Sequence, residues 1–323
     1  MSRPLRWVLV GPSDIAATRM IPAMRALGHQ PVAVLSGSPE RGREFAARHG
    51  VPTAAETLGE ALSVPADAVY ISTTNGLQCD QAVAAAGAGP HVLCEKPIAM
   101  TLDNAADLVH AARDAGVVLG INHHLRPSPV VQRLVADGAV GRPLAGRVDH
   151  AVALPEGLQG WRLSSAVKRR HQPGGPRRRR DRGQPGVVGE GIEDAVMAVL
   201  RLDGDILACI HDAFTVPNAG TALEVRGTEA SVFASNAMTQ DADGDVLLWR
   251  GGKSAPVDVG ARQDLCVTGL QAFADAVRGE DWPLAEGVDG FASLAFALAV
   301  RQALTTGTPT PVTPMSTMDG AAP

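Results

Sequence analysis

The sequence is poor in the residues that would mark a metal centre, a disulfide scaffold or a membrane span. Four cysteines occur in 323 residues (Cys79, Cys94, Cys209 and Cys266), with no CxxC pair and no Cys/His cluster. That spacing gives neither a zinc site nor a disulfide framework, and a reducing compartment is the simplest expectation. Aromatic residues make up only 3% of the chain, so its core must rest on many modest burials of small aliphatic side chains. No run of about 18 uncharged apolar residues is present, which excludes an ordinary transmembrane helix. The apolar stretch near the N-terminus is too short for a signal peptide and ends in a glycine turn, so a soluble, cytoplasmic protein is expected. The formal net charge of −5 supplies no general attraction to nucleic acid or to an anionic membrane.

What is present is an ordinary globular balance, 45% apolar and 20% charged, in a chain long enough for two domains. Apolar strand patterns at 7–10, 31–35, 68–71, 91–94 and 117–121 alternate with helical patterns at 15–27, 41–49, 77–86 and 102–115. Strand-helix alternation with short connections predicts a doubly wound parallel sheet covered on both faces. The second half reads differently, with strands expected at 143–154, 206–214, 221–226, 231–234 and 246–249 and helices at 272–277 and 290–303. The expected fold is therefore α/β: an N-terminal Rossmann domain at 1–121, then a C-terminal α+β domain at 122–323 with an open, largely antiparallel sheet. An exposed face on that sheet would favour self-association, and the Thr/Pro/Ala-rich tail from Thr305 reads as loose.

The turn Gly11-Pro12-Ser13-Asp14-Ile15-Ala16 follows the first strand and opens the first helix. A tight turn there directs backbone N–H groups and a helix N-terminus at a pyrophosphate. Gly11 and Ala16 fit the first and third positions of GxGxxG/A, and Ser13 replaces the second glycine; an ordinary βα turn is the alternative. The second strand ends in Leu35-Ser36-Gly37-Ser38, without the acid that usually accepts from an NAD ribose. Ser36, Ser38 and Arg41 suit an anionic 2′-phosphate better, which favours NADP(H); alternatively Ser38 only caps the next helix and Arg41 is solvated.

Lys96 closes another strand, at the edge where open α/β sheets bind ligands. Hydride transfer to a carbonyl builds negative charge on oxygen, and a lysine there could neutralise or protonate it. Alone, such a lysine is more often a surface charge. In order along the chain, Gly11 to Ala16, Ser72-Thr73-Thr74-Asn75, Glu95-Lys96-Pro97 and Asn122-His123-His124-Leu125-Arg126 resemble the Gfo/Idh/MocA family. Ser36 with Arg41, Leu154-Pro155, the segment 158–163, Gly191-Ile192-Glu193-Asp194 and the segment 211–215 resemble one branch of it.

The resemblance implies an NADPH-dependent reduction of a ketose-like or anhydro-sugar carbonyl, with a sugar or inositol dehydrogenase as the alternative. It implies that Gly11, Pro12, Ser13 and Ile15 line the pyrophosphate and that Ser36, Gly37 and Arg41 hold the 2′-phosphate. Thr73, Thr74, Asn75 and Gln78 would pass beneath the nicotinamide half, and Glu95, Lys96 and Asn122 would complete the pocket. Lys96 would be the catalytic group. Trp161 and Arg162 would lie at the substrate and nicotinamide end, with a core tryptophan and a surface arginine as the alternatives. His123 is a further substrate candidate, although both His123 and His124 could be structural. No metal is implied. Gln78 stands where the family commonly has histidine, and Thr74 where it commonly has proline.

One segment departs from the family. Members of this type carry a GGG stretch and a D-x-x-x-H segment whose acid and histidine bind substrate. Between Leu163 and Gly191 this chain has neither, and 168–182 holds eight Lys or Arg among fifteen residues. The stretch 164–190 reads as irregular and disordered. It lacks the interleaved aromatics and helical period of a nucleic-acid-binding insert. A divergent loop remains open, but a local shift of reading frame best accounts for a pattern that stops at Leu163 and resumes at Gly191. As written, the chain leaves a catalytically inactive NADP(H)-binding protein as an alternative of another class.

Overall fold

The computed structural model describes residues 3–125, 133, 137–153, 194–236, 238–239, 244–260 and 264–318. They form two compact units, Met1–Pro127 with Gln263–Pro323, and Ser128–Arg262.

The first unit is built on a six-stranded parallel sheet. Its strands are β1 (Arg6–Val10), β2 (Gln30–Leu35), β3 (Thr53–Ala55), β4 (Ala68–Ile71), β5 (His91–Cys94) and β6 (Leu119–Ile121), in the order β3-β2-β1-β4-β5-β6. Trp7 to Val10 and Ala68 to Ile71 are wholly buried, as strands covered on both faces must be. The connecting helices are α1 (Ile21–Ala26), entered through a π-helical turn at Ala16–Met20, α2 (Pro39–His49), α3 (Leu58–Ser63), α4 (Asn75–Ala88) and α5 (Leu102–Asp114). Local chemistry sets their ends. Ser38, Thr57 and Thr101 accept from backbone N–H groups in the first turns of α2, α3 and α5, and Gly50 and Gly89 close α2 and α4 in the left-handed region. Neither β3 nor α3 was legible in the sequence, because Thr-Ala-Ala and a six-residue helix carry too little apolar periodicity.

The packing divides the chain differently from a break at 121/122. Two C-terminal helices, α6 (Leu265–Val277) and α7 (Gly287–Thr306), belong to the first unit. Leu270 and Phe273 of α6 share a core with Trp7, Tyr70 and Leu93; Phe291 and Leu294 of α7 share the opposite core with Val92, Leu108 and Ile121. A parallel sheet needs cover on both faces, and these helices complete it. Helix α6 begins seven residues before the expected 272 because Asp264 caps it, with Oδ1 accepting from Val267 N at 2.9 Å; Gly269 had obscured its period. The tail is also less loose than its composition suggests, since Met315 and Met318 pack against the core.

Phe273 is 1% exposed and its ring centroid lies 5.4 Å from that of Trp7. Gly120 of β6 makes this fit possible, because a Cβ there would sit 2.8 Å from the Phe273 ring. Phe273→Ala is expected to cost about 3–5 kcal/mol, read from urea denaturation of the purified protein. A loss under about 1 kcal/mol would show that α6 contributes little to this core.

The second unit holds a seven-stranded sheet. Its strands are β7 (Pro143–Ala151), β8 (Ala195–Leu202), β9 (Ile206–Ala213), β10 (Thr221–Gly227), β11 (Ser231–Ser235), β12 (Asp245–Arg250) and β13 (Lys253–Val257), in the order β13-β12-β11-β10-β7-β9-β8. Only β7 and β9 pair in parallel; the other pairs are antiparallel. One face carries a small core of Val140, Val232, Ala234 and Val246. The register puts Met197, Val199, Leu207 and Trp249 together on the other face, where all four are exposed. Strands β8 and β13 had not been expected. Among the described residues, no helix is long and apolar enough to cross a membrane.

Candidate functional site

The candidate residues within the described chain gather at one edge of the six-stranded sheet, where its strands end. Gly11 to Ser13 follow β1, Ser36 and Gly37 follow β2, Thr73 and Thr74 follow β4, and Asn75 and Gln78 lie in the first turn of α4. Glu95 and Lys96 follow β5, and Asn122 and His123 follow β6. The strand order reverses between β1 and β4, and the crevice above such a point is where open α/β sheets take ligands. Trp161, Arg162 and the whole of 164–190 lie outside the described residues.

Gly11 has φ +102°, its N–H donates to Leu35 O at 3.0 Å, and a Cβ there would lie 2.8 Å from the Ser72 carbonyl carbon. Only glycine gives this turn both its left-handed backbone and its close approach to the end of β4. Ser13 stands where the usual fingerprint has glycine, and its side chain turns into the fold: Oγ donates to Ser72 Oγ at 2.8 Å and accepts from Ala16 N at 3.2 Å. Ser72 Oγ in turn donates to Gly11 O at 2.9 Å. The hydroxyls tie β1 to β4, so the missing glycine does not open the turn.

Ser36 is 4% exposed, and its Oγ accepts from Ser38 N at 3.2 Å. Ser38 does cap α2, accepting from Arg41 N at 3.4 Å, while the Arg41 side chain is exposed in the first turn of that helix. Gln78 is 2% exposed, and its Oε1 has no partner among the described residues. The cradle at Gly11, the helix N-termini and this orphaned oxygen all suit a dinucleotide laid along the edge.

Lys96 is exposed and lines a cavity of about 350 Å³ with Asn122, His123, His124, Leu125, Asp289, Ala292 and Ser293. That volume is at the lower end of small-molecule sites. Asp289, Ala292 and Ser293 come from the first turns of α7 and had no signal in the sequence. Beneath the cavity, Glu95 is 7% exposed, and Tyr70 and Asn122 both donate to its Oε1 at 2.6 Å. Tyr70 was also missed, although it is the sole tyrosine of the chain and sits in an otherwise aliphatic strand.

His124 has its pKa lowered to about 4, first by burial and then by the Lys96 charge, with smaller contributions from His123 and Arg19. Its native pKa lies below the ordinary 6.5, so the unfolded chain takes up a proton as pH falls through 6.5 while the native protein does not until near 4. Stability from this group is complete above about pH 6.5 and declines as pH falls toward 4, by on the order of 1–2 kcal/mol at pH 5. Burial lowers His29 and His91 in the same sense. Thermal unfolding at pH 7.5 and pH 5 is expected to show a smaller drop in Tm for His124→Gln than for the unaltered protein. An identical drop would remove His124 from the account.

Comparison with known proteins agrees with this architecture. The family model described as the Gfo/Idh/MocA oxidoreductase family, NAD-binding Rossmann fold, matches residues 5–123. The chain is 42% identical to the 1,5-anhydro-D-fructose reductase of Ensifer adhaerens, over 94% of this chain and 97% of that one. Among solved structures it is similar to an aldose-aldose oxidoreductase from Caulobacter crescentus (TM-score 0.78, 23% identity, 95% of this chain and 99% of that one). It is also similar to a levoglucosan dehydrogenase in complex with NADH (TM-score 0.79, 18% identity, 97% and 100%). At these identities the structural likenesses concern the fold alone. With a relative of this identity spanning nearly the whole chain, and a matching model over residues 5–123, the protein belongs to the Gfo/Idh/MocA family of NAD(P)-binding oxidoreductases.

Proposed function

We propose that this protein uses NADPH to reduce a sugar-like carbonyl of the 1,5-anhydro-D-fructose type. The observation that carries this reading is the exposed Lys96, which lines a cavity with Asn122, His123 and Asp289 at the end of β5, in a chain 42% identical to such a reductase over 94% of its length. In this reading Gly11, Pro12, Ser13 and Ile15 hold the pyrophosphate, and Ser36, Gly37 and Arg41 hold the 2′-phosphate. Thr73, Thr74, Asn75, Gln78, Glu95 and Asn122 receive the nicotinamide half, joined from outside the described chain by Trp161 and Arg162. When bound, the cofactor supplies a hydride to the carbonyl carbon. Lys96 holds its ammonium group beside the carbonyl oxygen and gives that oxygen a proton as it becomes an alcohol. His124, kept neutral by burial and by Lys96, adds no competing positive charge, and His123, Asp289 and Ser293 offer polar groups to substrate hydroxyls.

The test is a mixture of purified protein, NADPH and 1,5-anhydro-D-fructose, followed by nicotinamide absorbance. Loss of absorbance is expected; oxidation of sugars or inositol with NADP⁺ and no reduction would favour the dehydrogenase alternative. A second reading has its own support, because the sequence between Leu163 and Gly191 contains no D-x-x-x-H segment. Enhanced NADPH fluorescence on binding, without turnover in either direction, would identify an inactive binding protein. We also infer self-association through the open face of the seven-stranded sheet, where Met197, Val199, Leu207 and Trp249 are exposed. Light scattering giving the mass of a single chain at micromolar concentration would refute it.

A further inference from the structure

The sole tyrosine of the chain is wholly buried in β4, a strand otherwise built from Ala, Val and Ile. Its hydroxyl donates to Glu95 Oε1 at 2.6 Å, and Asn122 Nδ2 donates to the same oxygen at the same distance. The three residues stand at the ends of β4, β5 and β6, which are neighbours in the sheet. Withdrawing a carboxylate from water is costly, and an aliphatic trio of similar volume would avoid that cost. Two short donors on one oxygen do something an aliphatic trio cannot, namely fix the rotation of the carboxyl group. Glu95 is 7% exposed, and both of these hydrogen bonds fall on Oε1, which leaves Oε2 without a hydrogen-bond donor among the described residues.

We propose that Tyr70 is a positioning residue of the cofactor pocket: with Asn122 it pins one Glu95 oxygen inside the fold and presents the other as an acceptor to an O–H or N–H donor of the nicotinamide half. The inference rests on the reading of this edge as an NADP(H) site. Burial holds the Tyr70 pKa well above its ordinary value, and the Glu95 charge adds to this, so the hydroxyl remains a donor at any working pH. The Cys266 thiol, whose pKa is also raised by burial, to about 11, shares the hydrophobic core that holds Tyr70.

NADPH fluorescence titrations of the unaltered protein, Tyr70→Phe, Glu95→Gln and the double variant test the proposal. In Glu95→Gln, Tyr70 and Asn122 retain the amide oxygen and turn the NH2 outward, so donor meets donor and the Kd should rise about tenfold. Tyr70→Phe should raise the Kd about three- to tenfold, and the KM for NADPH with it, while kcat changes less than about twofold. If Tyr70 acts through Glu95, the double variant binds no worse than Glu95→Gln alone. A Kd for Tyr70→Phe within about twofold of the unaltered protein, or additive effects in the double variant, would overturn the role. Should Tyr70→Phe fail to fold, Glu95→Gln decides, since an unchanged Kd there removes the acceptor. If the unaltered protein binds neither NADPH nor NADH, the functional reading falls together with the inference. Normal binding with unresponsive variants defeats the inference alone.

Discussion

A Lys96→Met enzyme is expected to reduce its carbonyl substrate with kcat lower by about a hundredfold to ten-thousandfold, the usual loss on removing a positioned proton donor. Lys96 is exposed, so the change takes nothing from either core, and methionine keeps a straight side chain of similar length. NADPH affinity should therefore weaken only a few-fold, and the unfolding midpoint should hardly move. Stopped-flow turnover and fluorescence titration on the same preparation separate these effects. If kcat stays within about tenfold of the unaltered enzyme, the proton comes from elsewhere and Lys96 is a surface charge. The pH-dependent loss of stability attributed to His124 should also shrink in this variant, because the Lys96 charge is one of the causes holding that imidazole neutral.

Arg41→Ala is expected to weaken NADPH binding about tenfold or more and leave NADH binding within about twofold. A guanidinium facing a 2′-phosphate makes charge-assisted hydrogen bonds that have no counterpart on a bare hydroxyl. The location fits: Arg41 lies in the first turn of α2, where helix N–H groups also favour an anion, and the end of β2 carries Ser36 and no acid. Ser36→Asp should act in the opposite way, repelling the phosphate and accepting from the ribose hydroxyl, so that NADH becomes the better ligand. Equal losses for both nucleotides in Arg41→Ala would mean that the arginine supports the turn and does not read the phosphate. The capping of α2 by Ser38 gives the variant a stable background, since that hydrogen bond uses the Arg41 backbone and not its side chain.

Much of the first unit was legible because its strands are short, continuous apolar runs, as strands covered on both faces must be. β4 and β5 fall at the expected residues, and β1 and β2 start one residue earlier than expected. The edge elements β3 and α3 were not legible, since their few buried side chains carry no period. The candidate site was legible where a chemical type stood at a strand end, as with Gly11, Ser36 and Lys96. Tyr70 escaped because a tyrosine in a strand ordinarily reads as core, and nothing local announces that its hydroxyl meets a carboxylate.

By itself, then, the sequence determined the alternation that builds a parallel sheet, the turn at Gly11 and the placing of Lys96 at a strand end. Each depends on the residue and its near neighbours alone. Only the tertiary structure decided that α6 and α7 cover the nucleotide-binding sheet, that Gly120 makes room for Phe273, and that Asp289 and Ser293 wall the Lys96 cavity. It also decided that Tyr70, Glu95 and Asn122 share one oxygen. The reason is that helical periodicity shows which face of a helix is apolar but not which distant surface will bury it, and every one of these contacts joins segments far apart in the chain.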